Sequence, residues 1–102
     1  MILLVVTTLP DESTAAEIAR QLVTEKYAAC GTILPGARSI YMWNGGIEDT
    51  REVVVIFKIR DAGFVAFEEK LRSLHPYENP EIAAFAPAHV SKIYGEWVAA
   101  NS

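Results

Sequence analysis

The sequence predicts an α+β sandwich in which one sheet is backed by helices, and three observations lead there. Short apolar β-branched runs alternate with segments of helical period. Two of the runs are joined directly through Asn44-Gly45-Gly46, the kind of turn that closes an antiparallel hairpin. The remaining runs are separated by helix-length stretches. The order is strand, helix, strand, strand, helix, strand, helix. Short sequential connections with right-handed crossovers convert that order into a ferredoxin-like βαββαβ sandwich with one extra C-terminal helix.

Each element has its own warrant. Ile2 to Val6 is short and continuously apolar, as a strand covered on both faces would be. Asp11 can cap the helix that follows, with Thr14 and Glu17 offering a competing capping box. Ala15, Ile18, Ala19, Leu22 and Val23 recur at helical spacing, while Glu17, Arg20, Gln21 and Lys26 take the other face. From Ala28 to Arg60 the chain reads as two strands, the first broken by a bulge or bend at Pro35-Gly36. The returning run "EVVVIFKI" is β-branched and apolar, which predicts a central strand.

Asp61 can cap a second helix with Phe64, Phe67, Leu71 and Leu74 inward, and Pro76 ends that helix at His75. "EIAAFAP" is a fourth strand, and "SKIYGEWVAA" a last helix with Ile93, Tyr94, Trp97 and Val98 inward.

The totals bound the function. A chain of 102 residues fits a single domain over 1–102. Its 51% hydrophobic content and mean hydropathy of +0.18 exceed what so small an interior readily hides. The excess points to subunit contacts. A net charge of −4 argues against nucleic acid, whose phosphates demand clustered bases. The N-terminal apolar run is too short for a signal peptide or a membrane span. Cys30 is the only cysteine, so the chain forms no internal disulfide, which suits the cytoplasm.

Chain length carries a further implication. Ala28 to Trp43, fully extended, spans about 50 Å at roughly 3.3 Å per residue. A domain of this size is only about 34 Å across. The hairpin therefore bends sharply or overhangs its own domain. An overhang carrying Ile40, Tyr41, Met42 and Trp43 needs another chain to lie on, which predicts an oligomer.

Chemical motifs are sparse. The chain has no glycine-rich phosphate loop, no G-x-S-x-G and no paired-histidine metal motif, so no catalytic residue is assigned. Cys30 with His75 as base would make a nucleophile pair, but a cysteine after Ala28 and Ala29 in an apolar strand packs as a small hydrophobe. His75, Glu78 and Glu81 in "HPYENPEI" offer one imidazole and two carboxylates, a set that suits copper or zinc. Against that, Pro76 and Pro80 stiffen the segment and need not let the three converge. His89 precedes the last helix as an ordinary exposed polar residue. Tyr41, Trp43, Tyr94 and Trp97 could form a ligand platform, although aromatics at these spacings more often serve core or interface.

The pieces in their order resemble one family. "VTTLPDESTAAEIARQLVTEKYAAC", "ILPGARSIYMWNGGIE", "EVVVIFK", "HPYENPEI" and the Tyr94…Trp97 pair are similar to the CutA divalent-cation-tolerance proteins, over nearly the whole chain. The resemblance implies a ferredoxin-like subunit in a tight homotrimer, built like the PII signalling proteins, with hairpins wrapping neighbouring subunits. It implies tolerance of copper and other divalent cations, no enzymatic activity, and weak binding of copper(II) or another divalent cation. Carried over by position, the metal candidates are His75, Glu78, Glu81 and Cys30, and the cleft residues are Ser39, Tyr41, Trp43, Lys58 and Tyr77. The chain departs from the family pattern at Gly46, Ile59 and Gly95. It has Gly31-Thr32 where an asparagine commonly follows the cysteine.

Three function classes follow. The first is a trimeric, non-enzymatic metal-binding protein. The second is a PII-like sensor holding a small anion or metabolite between subunits through Lys58, Ser39, Tyr41 and Trp43. The third is a structural trimer that organises an unidentified protein partner.

Overall fold

The structure, a computed structural model, describes all residues from Met1 to Ser102. Strand β1 (Ile2–Leu9) runs three residues past the apolar stretch expected for it. Thr7, Thr8 and Leu9 continue the ladder opposite Val55, Val54 and Val53, because β-branched threonine suits a paired strand as well as valine does. Helix α1 (Glu12–Thr24) starts at Asp11, whose carboxylate accepts from the Thr14 amide at 2.8 Å. The alternative box at Thr14 and Glu17 is not the start.

Strands β2 (Cys30–Trp43) and β3 (Gly46–Arg60) form the long hairpin. Its turn is Asn44-Gly45 alone, both left-handed with φ of 51° and 79°, and Gly46 already pairs with Trp43. The register jumps between Leu34 and Ala37, so Pro35 and Gly36 together interrupt the pairing with β3. This is the expected bulge, with Gly36 at a φ of 82°.

A 3₁₀ turn over Asp61–Gly63 precedes α2 (Phe64–Leu74). Asp61 accepts from the Ala62 amide at the head of that turn, and Gly63 occupies the cap position of α2 without a side-chain bond. Asp61 therefore caps the turn rather than the helix. His75 has extended geometry, as the following proline requires. Strand β4 is only Ala83–Phe85, against the expected Glu81 to Pro87. Prolines 80 and 87 lack the amide hydrogen that would prolong it. Helix α3 (Lys92–Ala100) completes the chain.

The sheet order is β2-β3-β1-β4 with every neighbouring pair antiparallel, the ferredoxin-like arrangement, and β3 is central as predicted. Helices α1 and α2 cover one face. Val5, Leu9, Val53, Val55, Phe57 and Ile59 point into it and meet Ile18, Leu22, Phe67 and Leu71. Phe57 and Phe67 pack edge to face with centroids 5.2 Å apart.

The opposite face behaves differently. Leu4, Val6, Val54 and Ile56 are only half-buried, so β1 is not covered on both sides as its composition suggested. Only α3 lies there, sealing one end through Val98 against Ile2 and Ala29. Val98 is the sole buried residue of that helix. Ile93 is 82% exposed and Trp97 also faces outward, contrary to the predicted inner face, while Tyr94 is partly exposed over Cys30. A nine-residue helix laid over a sheet end has room to bury one turn's worth of side chain. The molecule measures 45 × 27 × 23 Å, an elongated shape for a chain whose hairpin strands run to 14 and 15 residues.

Candidate ligand cleft

His75 fixes the segment between α2 and β4. Its Nε2–H donates to the Thr8 carbonyl at 2.8 Å, with Thr7 Oγ1 3.2 Å away, and its Nδ1 accepts from the Tyr77 amide at 3.1 Å. Those partners select the neutral Nε2–H tautomer. The ring is 8% exposed, and burial pushes its pKa below the ordinary value, against opposing pulls from the Thr8 carbonyl and Glu52. Both ring nitrogens are committed within the chain, so neither is free to take a metal ion. The prolines and His75 act together as a stiff, pinned joint.

Pinning the joint brings Tyr77 onto β3. Its hydroxyl donates to Glu52 Oε2 at 2.6 Å, and its ring lies tilted against His75 at 4.9 Å. Burial, followed by the Glu52 carboxylate, pushes the phenol well above its usual range. Beyond Tyr77 the backbone opens a cleft of about 830 Å³ between this segment and the hairpin. Ser39, Tyr41, Trp43 and Tyr77 line it together, and Glu78 and Glu81 stand at its exposed rim. The cross-strand partner of Tyr41 is Glu48, which also lines it.

Two predicted members are elsewhere. Lys58 pairs in register with Cys30 at the far end of β3, and neither touches the cleft. Lys58 Nζ lies 3.6 Å from Cys30 Sγ and also reaches Thr32 Oγ1. Tyr94 leans over this cluster, its phenol raised by burial first and then by Cys30. The four aromatics considered as one platform therefore form two groups. Tyr41 and Trp43 belong to the cleft, while Tyr94 and Trp97 stack on α3 with centroids 5.8 Å apart.

No three His, Cys, Asp or Glu side chains stand close enough to hold one metal ion. His75, Glu78, Glu81 and Cys30 thus do not form a single site within this chain. The residue that sequence reasoning passed over is Glu52, an acidic residue only 7% exposed overall, on the cleft wall with its Oε2 bonded to Tyr77. Its signal was available, since a lone acid begins the apolar run "EVVVIFKI".

With the geometry in hand, the likeness to known proteins is specific. The family model for the CutA1 divalent ion tolerance protein matches residues 3–101. The divalent-cation tolerance protein CutA of Citrobacter koseri is 41% identical over 97 residues, covering 95% of this chain and 84% of that protein. Among solved structures, the divalent cation tolerance protein of Thermus thermophilus superposes with a TM-score of 0.95 at 37% identity, covering 100% and 99% of the two chains. The Archaeoglobus fulgidus CutA, described as periplasmic, gives 0.92 at 31% identity over 96% and 95%. No helix here is long and apolar enough to cross a membrane. The chain belongs to the CutA1 divalent ion tolerance family.

Proposed function

We propose that this protein acts in divalent-cation tolerance as a cytoplasmic, non-enzymatic homotrimer that holds copper(II) or a similar ion weakly. The observation that carries the reading is family membership across residues 3–101. A half-uncovered sheet face beside a long hairpin with exposed Ile40, Met42 and Ile47 supports self-association, since solvated apolar surface of this extent favours burial against another copy. Glu78 and Glu81 at the cleft rim supply the metal contacts, and His75 holds the segment that presents them. Few, exposed oxygen donors make such a site weak. The lone cysteine, unpaired within the chain, supports a reducing compartment.

Calorimetric titration of the metal-stripped protein with copper(II), beside zinc(II), tests this. The expected outcome is saturable binding with a whole number of sites per trimer, lost when Glu78 and Glu81 become Gln. Featureless heats overturn metal binding, and sedimentation as a monomer overturns the trimer.

The size of the cleft favours a second reading, a sensor whose state is set by a small molecule between hairpin and loop. Within one chain Lys58 lies outside this cleft, beside Cys30, so an anion held between subunits would need Lys58 of a neighbouring copy. A thermal-shift screen of metabolites tests the sensor reading through stabilisation by mass action.

A further inference from the structure

The segment from Pro76 to Asn79 leads from α2 towards β4 with almost no backbone anchorage. None of the backbone–backbone hydrogen bonds outside the helices and strands involves these residues. Pro76 has no amide hydrogen to give. Both ends are fixed, by the His75 amide on the Leu71 carbonyl and by buried Pro80 with Ile82 against the core. Between them two bonds do the holding. The Tyr77 amide donates to His75 Nδ1 at 3.1 Å, and the Tyr77 hydroxyl donates to Glu52 at 2.6 Å.

The His75 ring makes that anchorage conditional on a proton. Its Nε2–H donates to the Thr8 carbonyl whether the ring is neutral or charged. Nδ1 accepts from the Tyr77 amide only while it carries no hydrogen. A proton there sets donor against donor. β1 presents the Thr8 carbonyl and the Thr7 hydroxyl to the ring, β3 the Glu52 carboxylate, and the segment itself the Tyr77 phenol. No basic side chain and no charged group of α2 acts on it, and Asp11, ahead of α1, acts on Tyr77 instead. Thr8 and Glu52 favour the charged ring, but burial outweighs them, so the proton enters only below pH 6.5.

We propose that His75 is a proton-operated latch: a proton at Nδ1 expels the Tyr77 amide, and Pro76 to Asn79 swings off β3 while the sheet and helices stay folded. The segment carries Tyr77 and Glu78 of the cleft wall, so the cleft keeps its present shape only while the latch is closed. The latch does not depend on what the cleft holds.

The test is amide exchange by nitrogen-15 NMR on the assembled, tyrosine-labelled protein at pH 7 and pH 5, with the imidazole nitrogen shifts followed in parallel. Corrected for the intrinsic pH dependence of exchange, the Tyr77 amide should lose about tenfold or more in protection at the lower pH. The Tyr27 amide, bonded to the Leu22 carbonyl, should keep its protection. His75→Asn does not titrate and retains an acceptor, because a carboxamide oxygen takes the amide two residues on, so Tyr77 should stay protected at both pH values. His89→Ala, at an exposed position, should leave the wild-type response unchanged. An Nδ1 already carrying hydrogen at pH 7, equal Tyr77 protection at both pH values, an equal loss in His75→Asn, or loss at Tyr27 together with Tyr77 overturns the proposal. Should His75→Asn not fold, the wild-type shifts decide, and loss at Tyr77 without protonation at Nδ1 overturns it.

Discussion

The two faces of the sheet are built from equally apolar strands and end in different states. On the helix side every second residue of β3 from Val53 to Ile59 is buried, and α1 and α2 supply matching side chains. On the other side Val54 and Ile56 stay half-buried, and the hairpin beyond the bulge carries bare Ile40, Met42 and Ile47. The difference lies in what the chain places opposite each face. One face is a finished core within the single chain. The other is left half-exposed by the chain itself, with the cleft at its margin.

The largest expected effect comes from breaking the finished face. Phe57→Ala removes one half of the Phe57–Phe67 contact and should cost about 3–5 kcal/mol, read from denaturant unfolding. Gly31→Ala should follow at about 1–3 kcal/mol. A Cβ there would sit 2.9 Å from the Phe57 ring and 3.3 Å from Ala19, which explains why glycine suits this position.

His75 comes next. Unfolded, the imidazole titrates near 6.5, and burial lowers that value in the fold. Between the two values the unfolded chain holds more protons, so stability is full above about pH 6.5 and falls as pH drops towards the folded value. His75→Gln should flatten that part of the pH profile in thermal unfolding, at a cost of about 1–3 kcal/mol at pH 7. An unchanged profile would remove His75 from the pin.

Substitutions on the open face should separate association from folding. Ile47→Lys at the 67%-exposed hairpin position should shift sedimentation towards monomer while leaving the far-ultraviolet spectrum intact. Smallest of all is Arg38→Ala. It deletes a 2.7 Å ion pair to Asp49 that is open to solvent and screened by salt, so the unfolding midpoint should not move measurably.

Much of the fold was legible along the chain because its signals are local. Asp11 as a cap, Asn44-Gly45 as a turn, the bulge at Pro35-Gly36 and the stop at Pro76 depend on a few adjacent residues. Of the residues carried over from the family, Ser39, Tyr41, Trp43 and Tyr77 line one cleft of the chain, while Lys58 and the metal candidate Cys30 pair at the far end of β3. The inward face expected of α3 failed because periodicity marks an apolar stripe without saying what lies opposite it.

By itself, then, the sequence determined the element order, the hairpin turn, the start of α1 and the family, since backbone preference and apolar period act within a few residues. Only the tertiary structure decided that His75 spends both nitrogens on β1 and its own loop, that Glu52 takes the Tyr77 hydroxyl, and that one sheet face is left uncovered. Those outcomes depend on groups up to 68 positions apart, as Thr7 and His75 are, and no local rule reaches across that separation.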